Sequence, residues 1–364
     1  MATTFLDDDG SRMLAATFPG DSTVALRWHD VPTPDAGQVL LRTAASAICG
    51  SDLRTAYRYH LDRGDRTYTG CIGGHEFAGI VEAVGSGVRA LDEGQLVIVY
   101  HVAGCGQCTV CRSGYMIHCE SPYRRAYGNQ RDGGHAPFVL ADAVTCIPAP
   151  PEFTGVDASL IGCGFGTAFE GLHRVRVDGR DEVLVVGLGP VGLAAAMVAR
   201  AMGARRVLGA ELHESRRAWA EQVGLFDEVV EPAQTPQECC DVAVDASGSP
   251  AGRRLALRSL RTWGRCAFIG EGGDVTFDVS AELLHKEVTL AGSWVTSVPN
   301  MARCADVLAR HGLHPEIVVE HRLPLDAADH AYRLAADQTT GKVCLVFDDA
   351  HATSTHQPLT EDRG

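Results

Sequence analysis

The sequence predicts an α/β protein: a strand-dominated, barrel-like region with long loops, joined to a parallel sheet covered by helices. Three observations carry this. From about Val24 to Ala141 the chain is rich in glycine and holds short β-branched runs, Val39-Leu40-Leu41 and Gln95-Leu96-Val97-Ile98-Val99 among them. From Val183 onward, apolar strands alternate with helical stretches. Near the end, Val343-Cys344-Leu345-Val346-Phe347 is an apolar strand able to rejoin the first region.

The elements follow in order. Val183 to Gly187 reads as a buried strand, and Pro190 to Met202 as an alanine-rich helix with proline in its first turn. Further strands are predicted at Arg206 to Ala210, Asp241 to Ala246, Cys266 to Ile269 and Val288 to Gly292, with a helix at Ser215 to Val223 among the segments between them. One more helix is expected after Val298. The tail 348–364 is polar and is expected to be disordered.

With 364 residues, 45% of them hydrophobic and 21% charged, the chain has room for about two domains and a full core. The net charge of -14 argues against nucleic acid or an anionic membrane as the main partner, since each needs a basic face. A small-molecule substrate fits better. No stretch approaches the roughly 18 apolar residues of a membrane span, and Asp7-Asp8-Asp9 is unlike a signal peptide, so a cytoplasmic location is expected. Of the 13 cysteines, Cys71, Cys146, Cys239, Cys240, Cys266, Cys304 and Cys344 sit mostly among apolar neighbours and are expected as buried thiols. The others fall in ligand-like patterns.

Gly187-Leu188-Gly189-Pro190-Val191-Gly192 ends a predicted strand and opens a helix, with Glu211 at the end of the next strand. Such a turn lets backbone amides approach a pyrophosphate at a helix N-terminus. Glu211 suits the adenosine ribose and would repel a 2′-phosphate, which favours NAD. Arg216 and Arg217 could attract that phosphate, so NADP stays open.

Cys105-x2-Cys108-x2-Cys111-x7-Cys119 places four thiolates on one compact loop near 100–122, enough to close a tetrahedral structural zinc site. Cys49, His75 and Cys163 form a second candidate set, converging by folding and leaving a fourth position open, as a catalytic zinc requires. Asp52 could orient His75. Glu76 is read either as a reserve ligand or as a structural carboxylate beside the metal.

Taken together, Cys49-Gly50-Ser51-Asp52, Gly74-His75-Glu76, the four-cysteine lobe, the glycine turn and Gly341-Lys342-Val343 resemble the zinc-containing medium-chain alcohol dehydrogenases. The likeness runs from about Thr23 to Phe347 and is nearest the bacterial threonine- and polyol-dehydrogenase-like branch. It implies a GroES-like catalytic domain, 1–164 and 298–347, with an inserted Rossmann-fold NAD-binding domain, 165–297. It implies a homodimer or homotetramer with two zinc ions per subunit. It also implies that Ser51 hydrogen-bonds the substrate alcohol, Thr167 lies beside the nicotinamide, Lys342 contacts the pyrophosphate and Glu211 holds the ribose.

Two positions depart from the pattern. Many of these enzymes complete a proton relay with a histidine where this chain has Arg54, and a guanidinium cannot be a base. His60 is a candidate substitute. Polyol dehydrogenases of this branch often carry glutamate where this chain has Cys163. The expected reaction is hydride transfer between a secondary alcohol, such as a polyol, cyclitol or amino alcohol, and NAD(P). Alternatives are a dehydrogenase of simple aliphatic alcohols or aldehydes and a non-catalytic zinc-thiolate redox sensor.

Overall fold

The computed structural model describes residues 5–58, 68–337 and 341–347. The tail from Asp348 and the candidate base His60 lie outside the described residues.

The inserted alternation of strand and helix forms a six-stranded sheet in which every pairing is parallel. Its spatial order is Glu228–Val230, Arg206–Ala210, Glu182–Val186, Cys240–Asp245, Leu260–Phe268, Thr289–Gly292. The chain starts in the middle at Glu182–Val186, winds outward one way and then the other. That reversal opens a crevice at the carboxyl ends of the two central strands, where a doubly wound sheet takes its ligand. Both central strands are buried on both faces, as their apolar runs require.

The second sheet has seven strands and is built around Gln38–Ala47. One edge of that strand pairs with Glu76–Val84. The other edge is divided: Phe138–Asp142 takes Gln38 to Arg42, and the last strand, Lys342–Val346, takes Ala45 to Ala47. The predicted return of the chain end is therefore present. On the opposite side, beyond Glu76–Val84, Leu96–Val99 and Cys146–Pro148 extend the sheet.

One expectation needs correction. The stretch after Val298 holds two helices, Val298–Arg310 and Ala328–Asp337, with a strand between them at Val319–Leu323 that pairs parallel with Lys342–Val346. The strand was invisible in sequence because Glu320, His321 and Arg322 break its apolar pattern. All 13 cysteines are free; Cys146, Cys240, Cys266, Cys304 and Cys344 are buried as expected, whereas Cys71 and Cys239 are only partly so. Among the described residues, no helix is long and apolar enough to cross a membrane.

Candidate active site

A cleft of about 540 Å³ runs between the two sheets, with Cys49, Gly50, Arg54, Glu76 and Lys342 at one end and Gly187, Gly189, Pro190, Glu211 and Arg216 at the other. Each end is set by local backbone features.

At the nucleotide end, Glu182–Val186 runs into Gly187, whose φ of +88° suits glycine, and the helix Pro190–Ala201 starts with Gly189 as its cap. A Cβ on Gly192 would stand 1.9 Å from the Gly187 carbonyl, so only glycine lets the helix pack this tightly on the turn. Val191 lines the cleft beside Pro190. Glu211 is 4% exposed, and both its carboxylate oxygens are engaged: Oε2 accepts from Leu188 N at 2.8 Å and Oε1 from His213 N at 2.9 Å. The residue expected at the ribose thus also braces the glycine turn. Arg216 stands over the same turn, 3.7 Å from where a Cβ on Gly189 would be, and 3.9 Å from Glu211. Thr167 lies half-buried at the start of the helix Gly166–Arg174; Gly164 and Phe165 line the cleft, while Thr167 does not.

At the other end, Cys49, His75, Glu76 and Cys163 present four ligand atoms within 4.8 Å of one another. Cys49 precedes a one-turn helix, Gly50–Asp52, and Cys163 lies in a widened helical turn, Ile161–Phe165, of a kind frequent at functional sites. Asp52 does two jobs. Its Oδ2 accepts from Cys49 N at 3.0 Å and its Oδ1 from His75 Nδ1 at 2.7 Å, leaving His75 Nε2 toward the thiols. Burial opposes a charge on His75, but Asp52 and Cys49 outweigh it and raise its pKa above the ordinary range. The hydrogen bond from Cys163 holds the Cys49 thiol well below its ordinary pKa, with His75 assisting, while that bond and burial push Cys163 up. Ser51 Oγ lies 3.5 Å from His75 Nε2.

Glu76 is 1% exposed, and burial raises its pKa to about 7. Its ion-pair partner is the Lys342 ammonium; no other donor reaches its carboxylate among the described residues. Lys342 is 4% exposed, with its ammonium turned to Glu76 at the metal end of the cleft. Two thiols, an imidazole and a buried carboxylate short of donors make a donor set that suits zinc.

Sequence reasoning missed His101. Its ring centroid lies 5.3 Å from that of His75, and its Nδ1 faces the Gly162 carbonyl at 2.9 Å. Burial lowers its pKa to about 4, so it is neutral, with Nδ1 donating and Nε2 free to accept. The only signal in sequence was its place just beyond the apolar strand Leu96–Val99.

The second metal group lies on a neighbouring lobe. Cys105 Sγ and Cys111 Sγ are 4.0 Å apart, and Cys108 Sγ and Cys119 Sγ 3.9 Å. A tetrahedral shell with bonds of ~2.3 Å needs sulfur separations of ~3.8 Å, so the four thiols fit a zinc ion.

Comparison with known proteins agrees with this geometry. The alcohol dehydrogenase GroES-like domain family matches residues 35–151, and the zinc-binding dehydrogenase family matches 190–310. The zinc-type alcohol dehydrogenase-like protein YphC of Escherichia coli is 45% identical over 354 residues, covering 93% of this chain and 99% of that protein. An L-threonine 3-dehydrogenase of Saccharopolyspora erythraea is 32% identical, covering 92% and 98%. The structure of acetophenone reductase from Geotrichum candidum in complex with NAD superposes with a TM-score of 0.77 at 27% identity, covering 93% and 98%. Two zinc-fitted groups, one inside a dinucleotide cleft, on a fold shared along nearly the whole length of these relatives leave one conclusion: the chain belongs to the zinc-containing medium-chain alcohol dehydrogenases and is an NAD(P)-dependent enzyme of that family.

Proposed function

We propose that this enzyme interconverts a secondary alcohol bearing further polar groups, a polyol, cyclitol or amino alcohol, and its ketone, with NAD as the preferred partner. The observation that carries the reading is that Cys49 and Glu76 open onto the same cleft as the glycine turn. The names of the relatives are consistent with it: one acts on L-threonine, an amino alcohol. Glu211 supports NAD, because its buried carboxylate beside the turn disfavours a 2′-phosphate.

Zinc held by Cys49, His75 and Cys163 would polarise the alcohol oxygen and lower its pKa. The chain's residues do the rest. Asp52 fixes the His75 ring so that Nε2 faces inward. Ser51 Oγ, beside that nitrogen, would take the hydroxyl proton while passing its own to water, and a bound nicotinamide would supply the hydride acceptor. Arg54 cannot take the proton onward, so the proton leaves through water at the cleft mouth. Glu76 and Lys342 keep the floor of the site close to neutral. Assembly as a homodimer or homotetramer completes the proposal.

The test is NAD reduction across polyols, cyclitols, threonine and simple secondary alcohols, repeated with NADP, with subunit assembly read by light scattering. Turnover confined to simple aliphatic alcohols, or faster with NADP, would overturn the substrate or cofactor part. No reduction with any alcohol would overturn the whole.

A further inference from the structure

We propose that Arg54 holds an anionic oxo group of the substrate, a carboxylate or a phosphate monoester, so that acidic alcohols are selected over neutral ones. This rests on the dehydrogenase reading above.

Arg54 lies at the second position of the widened turn Leu53–Tyr57, directly after the one-turn helix that carries Ser51. It lines the cleft together with Cys49, Gly50 and Glu76. Its Nη1 stands 3.7 Å from where a Cβ on Gly50 would be, so the guanidinium folds back over the turn beside Cys49. At 54% exposure the side chain is open to a ligand.

Its partner already has the chemistry of such a ligand. Nη2 donates to Glu271 Oε2 at 3.2 Å, and the other Glu271 oxygen accepts from Trp294 Nε1 at 2.7 Å. Glu271 follows the strand Leu260–Phe268, so the pair spans the cleft mouth from one sheet to the other. Both side chains are about half exposed, and a pair in that setting is worth little in water. A substrate anion can take the place of Glu271 at small cost.

The charge balance of the metal end points the same way. Glu76 and the Cys49 and Cys163 thiols are acidic groups, and the Lys342 ammonium is buried against Glu76. Arg216 lies at the opposite end, near Glu211. Among the described cleft residues, Arg54 is the cation at the metal end whose partner is exchangeable. A planar guanidinium takes a carboxylate or a phosphate through two parallel hydrogen bonds, which a relay histidine in its place would not do.

The test pairs acidic with neutral alcohols on the zinc-loaded enzyme: β-hydroxybutyrate with sec-butanol, and a hexitol phosphate with the free hexitol. In parallel, butyrate and methyl phosphate are titrated by calorimetry into the enzyme with NADH bound. The wild type is expected to favour the acidic member of at least one pair by roughly tenfold or more in kcat/KM, the responding pair identifying carboxylate or phosphate. Arg54→Gln should remove most of that preference, chiefly through KM, and weaken binding of the matching anion, and Arg54→Lys should restore part of both. A wild-type preference for neutral alcohols overturns the proposal. So does an Arg54→Gln variant that raises KM for NAD and every alcohol alike, which would put the guanidinium on the cofactor. No turnover with any alcohol, while the anion still binds through Arg54, would instead defeat the dehydrogenase reading.

Discussion

The two sulfur-rich groups gather their ligand atoms with the same tightness, within 4.8 Å, yet they differ in almost everything around the ligands. The lobe draws four thiols from one loop, Cys105 to Cys119, and leaves Cys105 and Cys108 partly exposed. The cleft group comes from three separate segments and mixes sulfur, nitrogen and oxygen. In the lobe, backbone amides of Gln107 and Cys108 lower the Cys105 thiol to about 6, while burial pushes Cys111 up to about 12. In the cleft the shifts come from reactive side chains: Cys163 and His75 act on Cys49, and Asp52 on His75. Ligand distance therefore does not separate a structural from a reactive metal group. The origin of the ligands and the charges packed behind them do.

Four substitutions can break or sharpen this contrast. The largest effect is expected from Cys49→Ala, which should reduce kcat by more than about 10³-fold and leave one zinc per chain. Metal content by atomic emission alongside NADH formation checks it, and retained turnover would refute the assignment of the cleft group. Cys111→Ala should do the converse: the lobe loses its zinc and the melting temperature falls by more than about 5 °C, with the cleft zinc retained. An unchanged melting temperature would mean that the lobe is not a structural site.

Lys342→Met tests the charges behind the cleft ligands. It strands the buried Glu76 carboxylate and should cost about 3–5 kcal/mol in urea unfolding, most of it recovered in the Glu76→Gln, Lys342→Met double variant. Simple additivity would show that the pair is not coupled. The smallest effect is expected from Asp52→Asn, which loosens His75 and should weaken zinc binding in the cleft by about 10–100-fold without changing the lobe. Competition with a chromogenic chelator reads the two sites separately; equal weakening at both would contradict a local role for Asp52.

The contrast also explains what was legible in the sequence. The lobe was readable outright, because its spacing and its geometry are the same fact on a short loop. The cleft ligands were readable only in combination, as Cys49, Gly74-His75-Glu76 and Cys163 arrive in order ahead of the glycine turn. Side-chain direction was not readable. Lys342 follows Gly341 in a recognisable motif, yet whether its ammonium meets a phosphate or Glu76 depends on how the last strand pairs with Gln38–Ala47. Arg54 was visible as a departure, whereas its partner Glu271 lies in the loop after the strand Leu260–Phe268 of the other sheet, and no local pattern links the two. The strand Val319–Leu323 was lost for a different reason: its polar residues carry no alternation to detect.

The double engagement of Glu211 has a consequence for redesign of this enzyme. Leu188 N is tied to the carboxylate that, on the proposed reading, would disfavour a 2′-phosphate, and on that reading cofactor preference and the order of the glycine loop become a single trait. Exchanging Glu211 for a small neutral residue to admit NADP is expected to weaken both dinucleotides together, measurable as a rise in both dissociation constants. A working switch would need a second residue to take over the Leu188 amide, which places the two cofactor preferences at least two substitutions apart.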